Sequence, residues 1–277
     1  MKTPGITVHC TVKNEERWIW YALHSVLPYV EKILVYDTGS TDKTVPIIQS
    51  IQSPKINLEE RGAVTKEDFH KLCQEQVDRT ETEWFLVLDG DEIWPSVAIE
   101  ELADYLKKAP AKIDTIVAHF NNFLNDVFHY QPENEGGYLI DGQRGNLTVK
   151  VMRTTIPGLH VSGDYGVEGY LDGSGKFVQE RTEHLHILTQ PFFHTSNLVR
   201  SSSLIGDWKI GYRRLKVFVG AHPETRPELN KQIHQLFSEP VPITHFSPLK
   251  KDYPTVIIRS LVVPLLKTRQ WIRQQFS

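Results

Sequence analysis

Two acidic features of this sequence have the clearest potential for chemistry. The run Asp89-Gly90-Asp91-Glu92 follows the apolar residues 84–88, and Asp37 follows the strand-like residues 32–36. Carboxylates placed directly after a buried strand need hydrogen-bond donors or a cation, and the clustered acids also repel one another. A divalent ion, Mg²⁺ or Mn²⁺, that bridges to a diphosphate would relieve both problems, because these ions prefer oxygen ligands.

Both features also have a simpler interpretation. An acid at the end of a strand can cap the helix that follows, and Asp37 can form an Asx-type turn. The Asp89–Glu92 run is too dense for capping alone, so its pattern favours a metal site. For Asp37 the two interpretations stay open, although Gly39 would let the backbone approach a ligand closely.

The elements that must position these acids alternate between strand and helix. Asn14 and Ser96 are expected to cap two of the helices. Strands are predicted at residues 6–12, 32–36, 55–58, 84–88 and 114–120, and helices after Asn14, at residues 47–51, at 67–78 and at 96–108. This rhythm predicts an α/β fold, with a mostly parallel sheet covered by helices on both faces. Ligands of such sheets bind at the carboxyl ends of the strands, where both acidic features would lie.

Composition limits the class of protein. The 277 residues are 40% hydrophobic and 23% charged, which is sufficient for a large α/β domain, and the net charge of −3 argues against a nucleic-acid partner. Cys10 and Cys73 are too few for a disulfide framework or a zinc site, so a reducing cytoplasm is expected. We find no signal-peptide pattern and no run of apolar residues long enough to span a membrane.

The first half of the chain carries three motifs in order. They are Lys13-Asn14-Glu15-Glu16, Asp37-Thr38-Gly39-Ser40-Thr41-Asp42-Lys43-Thr44 and Trp84-Phe85-Leu86-Val87-Leu88-Asp89-Gly90-Asp91-Glu92. Together they make residues 5–120 resemble the family 2 glycosyltransferases, most closely the subgroup that acts on lipopolysaccharide core. The resemblance implies a glycosyltransferase A fold, with a nucleotide-sugar-binding half at residues 1–121 and an acceptor-side half at residues 122–250.

The resemblance also implies an activity and a donor site. Such an enzyme moves a sugar from a UDP-sugar, with Mn²⁺ or Mg²⁺, to a glycan or a lipid-linked acceptor. The residues implied to bind the nucleotide sugar are Thr11, Val12, Glu15, Asp37 and Asp89. Asp37 would accept a hydrogen bond from the base, Asp89 would contact the ribose or a metal-bound water, and Asp91 would coordinate the metal.

One stretch departs from the family pattern. Where the family carries an Arg-Asn pair near the donor, this chain has Cys73 and Gln74. The missing donor contact would then come from Lys71, Arg153 or Arg144.

The second half offers candidates for proton transfer and for a further metal ligand. Val167-Glu168 resembles a family stretch that ends in His-Glu, so Glu168 is the candidate general base and Asp164 the second candidate. His194, placed before an expected helix start, is the candidate late histidine on the metal or diphosphate. His184 and His186 are expected on one face of a strand, where they would either face the acceptor or have a structural role.

Residues 251–277 form a basic amphipathic pattern, which predicts either peripheral membrane contact through residues 255–276 or packing on the domain itself. Two rival functions stay open. One is a non-catalytic nucleotide-sugar-binding protein of the same fold, favoured by the changes at Cys73 and Val167. The other is a nucleotidyltransferase, which would carry a Gly-rich loop after the first strand, where this chain has Lys13 but no glycine.

Overall fold

The computed structural model describes residues 2–124, 126–132, 136–198 and 224–250. The strands are β1 Thr3–Val12, β2 Lys32–Asp37, β3 Ile56–Glu60, β4 Thr82–Val87, β5 Glu92–Ile93, β6 Thr115–Leu124, β7 Asp126–Tyr130, β8 Tyr138–Ile140, β9 Gln143–Gly145, β10 Leu147–Arg153, β11 His160–Ser162, β12 Gly169–Leu171, β13 Leu185–Ile187, β14 Phe192–His194 and β15 Glu224–Thr225. The α-helices are α1 Ile19–Val26, α2 Thr44–Ser50, α3 Phe69–Asp78, α4 Ser96–Leu106 and α5 Asn230–Leu236.

The central sheet has the spatial order β15-β7-β6-β10-β4-β1-β2-β3. Strands β3, β2, β1 and β4 are parallel neighbours. Strand β10 runs antiparallel to both β4 and β6, so β6 points the same way as β4. Strands β13 and β14 pair in parallel with β6. The predicted α/β fold, a mostly parallel sheet of the glycosyltransferase A type, is confirmed.

Helices cover both faces of this sheet because its strands are apolar on both sides. In β4, Trp84 and Leu86 belong to a large buried cluster with α1, α2 and α4, whereas Phe85 belongs to a second cluster that includes α3. All three side chains are at most 2% exposed. A strand that is buried on both faces needs apolar side chains on both, which explains the continuous apolar run seen in the sequence.

Two predicted helix caps are wrong. The chain does not enter a helix after Asn14, because α1 begins only at Ile19 and Trp18 occupies the N-cap position. Asn14 instead has a left-handed backbone with φ of 55°. Ser96 is the first residue of α4 and Pro95 is its N-cap, without a side-chain capping bond.

Within the described ranges, none of the helices combines the length and apolar character needed to cross a membrane. The basic amphipathic segment 251–277, with its predicted membrane contact, lies outside the described residues.

Candidate active site

A cleft of about 560 Å³ opens at the carboxyl ends of β1, β2 and β4. The sequence-predicted residues that line it are Thr11, Val12, Glu15, Asp89, Asp91, Glu168 and His194. They come from both halves of the chain, and the parallel strands bring the first five to one edge of the sheet. The predicted position of the site is therefore the position of a cleft.

The acidic run and His194 are held together by backbone pairing. Strand β14 pairs with β5, with His194 opposite Glu92. The backbone N–H of Thr195 donates to the carbonyl oxygen of Asp91 at 2.9 Å. As a result, His194 Nε2 lies 3.6 Å from Asp91 Oδ2. The structure thus brings together the two residues that the sequence suggested as metal ligands. Residues 195–198 form a turn, and the helix expected after it lies outside the described residues.

Electrostatics reinforce the contact between His194 and Asp91. Burial alone lowers the pKa of His194, but the nearby carboxylates of Asp91, Glu92 and Asp89 outweigh it and raise the pKa to about 9. The imidazolium and the Asp91 carboxylate therefore attract each other at neutral pH. A metal ion bound by both side chains would displace this proton, because a histidine ligand must be neutral.

Lys150 lies next to the acidic run and is a residue that sequence reasoning missed. Its ammonium group contacts Glu92 Oε1 at 2.6 Å and Oε2 at 2.7 Å, and lies 3.9 Å from Asp89 Oδ2. Burial lowers the pKa of Lys150, but attraction by Glu92 and Asp89 outweighs it, and the net shift is upward. Burial raises the pKa of Glu92 to about 7 against the opposing charge of Lys150. The available signal was a lysine between the apolar residues Val149 and Val151 of strand β10.

The first two motifs bond to each other beside the cleft. Asn14 Oδ1 accepts from the backbone N–H of Thr41 at 2.7 Å, and the backbone N–H of Glu15 donates to Thr44 Oγ1 at 2.7 Å. Asn14 therefore joins the loop after β1 to the loop after β2, and asparagine tolerates the left-handed backbone found here better than most residues do. This pairing leaves Glu15 buried against the cleft wall.

Gly90 lies directly over this wall. A Cβ atom at Gly90 would lie 3.0 Å from Glu15 Cγ and 3.0 Å from Val12 Cγ2. The close approach of the end of β1 and of the loop that follows it thus favours glycine within the acidic run. Asp89 and Asp91, which flank Gly90 in the sequence, both line the cleft.

Asp37 forms an Asx-type turn, which is one of the two roles that its position in the sequence suggests. Its Oδ2 accepts from the backbone N–H groups of Gly39 at 3.0 Å and Ser40 at 2.9 Å, and Oδ1 accepts from the Ser40 hydroxyl. Asp37 is 2% exposed, and the neighbouring Thr38 lines the cleft. A contact from Asp37 to a nucleotide base stays a prediction.

Glu168 reaches the cleft from the hairpin formed by β11 and β12. It is half-buried, and its carboxylate accepts from the backbone N–H of Gly166. On the same loop, the Tyr165 ring packs edge-on against Phe69 with centroids 4.8 Å apart. Asp164 is exposed and is not among the residues that line the cleft, and Val167 is 75% exposed. Of the two candidate bases, the structure places Glu168 at the cleft.

The structure does not place Arg153 with the donor residues. Because β10 runs antiparallel to β4, its last residue Arg153 lies opposite Trp84 at the start of β4, at the end of the strand remote from the acidic run. There it forms an ion pair with Glu83 and donates to the Ile113 carbonyl oxygen at 2.8 Å. The structure therefore does not support the prediction that Arg153 binds the donor.

Lys71 and Arg144 also lie outside the cleft lining. Lys71 is on the exposed face of α3, where its ammonium pairs with Asp68 at 2.6 Å. It lines a smaller hollow that shares Val64 and Thr65 with the cleft. Arg144 is exposed on β9. Within the described ranges, the lysines that line the cleft are Lys13 and Lys66, and no sequence pattern pointed to Lys66.

The two positions that depart from the family pattern have structural tasks. Cys73 is buried, which raises the pKa of its thiol to about 12. Gln74 Oε1 accepts from the backbone N–H of Val161 at 2.8 Å, which ties α3 to β11.

The two other histidines considered in the sequence, His184 and His186, do not share a strand face. His184 ends a short 3-10 helix and His186 lies in β13. The ring of His186 stacks on Tyr105 with centroids 3.6 Å apart, and His184 Nδ1 lies 2.7 Å from the Lys112 carbonyl oxygen. Their packing indicates structural roles.

A mostly parallel sheet with an acidic cleft at its carboxyl edge is the arrangement of a glycosyltransferase with the glycosyltransferase A fold. The family model described as Glycosyl transferase family 2 matches residues 7–160, more than half of the chain. The chain belongs to this family and is a glycosyltransferase, which decides against a nucleotidyltransferase. A comparison with curated proteins found no match.

Several solved structures are similar to this chain. TarS residues 1–349 from S. aureus, in complex with UDP-GlcNAc, aligns over 84% of this chain and 71% of that one, with 13% identity and a TM-score of 0.48. Glucosyl-3-phosphoglycerate synthase from Mycobacterium tuberculosis, in complex with Mn²⁺, UDP-glucose and phosphoglyceric acid, aligns over 43% of this chain and 44% of that one, with 23% identity and a TM-score of 0.33.

Proposed function

We propose that this glycosyltransferase moves a sugar from a UDP-sugar to a hydroxyl group of a glycan or lipid-linked acceptor, with Mn²⁺ or Mg²⁺ and with inversion at the anomeric carbon. The observation that carries the proposal is the meeting of Asp91 and His194 beside Asp89 in the cleft. In this proposal residues 1–121 bind the nucleotide sugar and residues 122–250 bind the acceptor.

The donor would lie along the carboxyl edge of the sheet. Thr11, Val12 and Glu15 line the wall of the cleft next to the turn that Asp37 closes. Asp37 would accept a hydrogen bond from the base, and Asp89 would contact the ribose or a metal-bound water. Among the cleft residues, Lys13 and Lys66 supply positive charge for a diphosphate.

The residues present fit a divalent ion that a substrate helps to bind. Asp91 and His194 would hold it, and within the described ranges no cluster of three or more acidic, histidine or cysteine side chains forms a complete cage. Mg²⁺ is commonly bound by one or two carboxylates together with substrate phosphates. The ion would neutralise charge on the departing diphosphate.

Glu168 would act as the general base, with Asp164 as the second candidate. The acceptor hydroxyl oxygen forms a bond to the anomeric carbon while the bond from that carbon to the diphosphate breaks. The electron pair leaves with UDP, and the hydroxyl proton passes to the carboxylate. The half-buried position of Glu168 at the cleft supports this role.

The proposal extends to the biological setting. We infer an acceptor of the cell-surface type, in line with the lipopolysaccharide-core subgroup, and a cytoplasmic enzyme that contacts the membrane surface through residues 255–276.

A panel of UDP-sugars, incubated with the protein with and without Mn²⁺, tests the proposed reaction by the UDP released. We expect release from at least one UDP-sugar, stimulated about tenfold or more by the metal. A properly folded protein that neither binds UDP nor releases it from any member of the panel would contradict the proposal.

A further inference from the structure

A second cavity of about 460 Å³ adjoins the cleft. The side chains of Glu168 and Asp89 line both spaces. Strands β4 and β10 form part of its lining, α3 and β12 contribute on one side, and the β8–β9 hairpin contributes Tyr138, Leu139 and Ile140. The candidate base therefore lies between the proposed donor site and a separate space that opens to solvent.

The charges around this cavity are unbalanced. Its charged lining residues in the described part of the chain are Asp89, Glu168 and Lys150. Lys150 is already held by both carboxylate oxygens of Glu92, and burial lowers the pKa of the lining residue His9 to about 3, so that it stays neutral. An anionic group in this cavity would face two carboxylates and a cation that already has a partner, which disfavours its binding.

The mouth of the cavity is apolar. Tyr138 is 54% exposed and Leu139 is 65% exposed, both on the short strand β8. Large apolar side chains exposed next to a cavity commonly mark a binding surface. An aromatic ring also packs well against the apolar face of a sugar or an alkyl chain.

We propose that this cavity binds the acceptor, and that the acceptor is an uncharged glycoside with an apolar aglycone. The sugar hydroxyl would lie against Glu168, and the aglycone would lie against Tyr138 and Leu139. This inference rests on the proposed function, because Glu168 must receive the proton of the attacking hydroxyl.

Binding of simple probes tests the inference without a known natural acceptor. Octyl and methyl glycosides of glucose, galactose and N-acetylglucosamine, together with the monophosphates of the same sugars, are titrated into the full chain and followed by saturation-transfer NMR. We expect at least one octyl glycoside to bind about tenfold more tightly than its methyl counterpart, and no sugar monophosphate to bind better than the methyl glycosides. Tighter binding of a sugar monophosphate than of the methyl glycosides would overturn the inference.

Two variants connect this binding to the cavity. Leu139→Ser should weaken octyl-glycoside binding by about fivefold or more and leave UDP affinity unchanged. Val97→Ser, on the exposed face of α4 and 38% exposed, is the matched control and should change neither. Unaltered octyl-glycoside binding by Leu139→Ser would place the aglycone elsewhere and refute the assignment.

The same samples are titrated with UDP, so that a failure of the acceptor inference can be distinguished from a failure of the proposed donor. Normal UDP binding without octyl-glycoside binding would overturn the acceptor inference alone. Absence of UDP binding, with glycoside binding intact, would overturn the proposed donor instead.

Discussion

Replacing Lys150 with methionine removes the positive charge buried against the acidic run while keeping a side chain of similar length. Lys150 is 5% exposed and Glu92 is 3% exposed, and the ammonium group contacts both carboxylate oxygens. Removing one partner of a buried ion pair costs about 3–5 kcal/mol, because the other charge is left uncompensated. We expect the free energy of unfolding of Lys150→Met to fall by that amount at pH 8. Loss of Lys150 also removes the charge that lowers the pKa of Glu92 against the effect of burial, so part of this cost is proton uptake by the buried acid.

Urea denaturation measures this change. With a denaturant slope of roughly 3 kcal/mol/M, the unfolding midpoint should fall by about 1–2 M. Glu92→Gln in the Lys150→Met background should recover most of the loss, since the amide carries no charge. Lys107→Met is the control, because Lys107 and Asp104 form an ion pair with both side chains at least 69% exposed, and it should cost less than about 1 kcal/mol. A midpoint for Lys150→Met no lower than that of Lys107→Met would refute the role assigned to the buried pair.

Three further changes test other parts of the site. Asp37→Ala should weaken UDP affinity by about tenfold in calorimetry, whereas Ser40→Ala, which removes a hydrogen bond of the same turn, should not; equal losses would reduce Asp37 to a turn residue. Glu168→Gln should lower transfer by about 10² to 10⁴ with donor binding intact. If Asp164→Asn loses transfer instead, the base is Asp164. Burial lowers the pKa of His9 from 6.5 to about 3, so the unfolded chain binds this proton first and stability is lost as pH falls between those values. His9→Gln should flatten that loss in urea titrations across this pH range, and an unchanged slope would contradict the assignment.

The sequence allowed the sheet and the acidic edge to be predicted because both depend on local patterns. Residues 84–88 are continuously apolar, and the acids that follow them had to lie at the carboxyl edge of a parallel sheet. The resemblance added His194, whose distance from Asp91 along the chain conceals their contact in space. Pairing between β14 and β5 is a tertiary feature that no short-range pattern encodes.

The wrong predictions concern residues whose positions depend on strand direction or on tertiary contacts. Arg153 was misplaced because the sequence of Leu147–Arg153 does not show that this strand runs antiparallel to β4. Asn14 has the side chain of a helix cap, but its oxygen accepts from Thr41 instead. Lys150 was missed because its pairing with Glu92 depends on the packing of β10 beside β4.

Turnover of a UDP-sugar by Asp91→Asn most directly tests whether this cleft performs metal-dependent glycosyl transfer. Loss of a charge partner of the reaction typically costs about 10² to 10³ in rate, so we expect at least that loss at saturating Mn²⁺. Circular dichroism checks that the variant is folded, which matters because Asp91 is only 2% exposed, and Asp104→Asn on the exposed face of α4 is the control that should retain activity. The account predicts a folded and inactive Asp91→Asn variant; near-normal, Mn²⁺-stimulated turnover by that variant would contradict it.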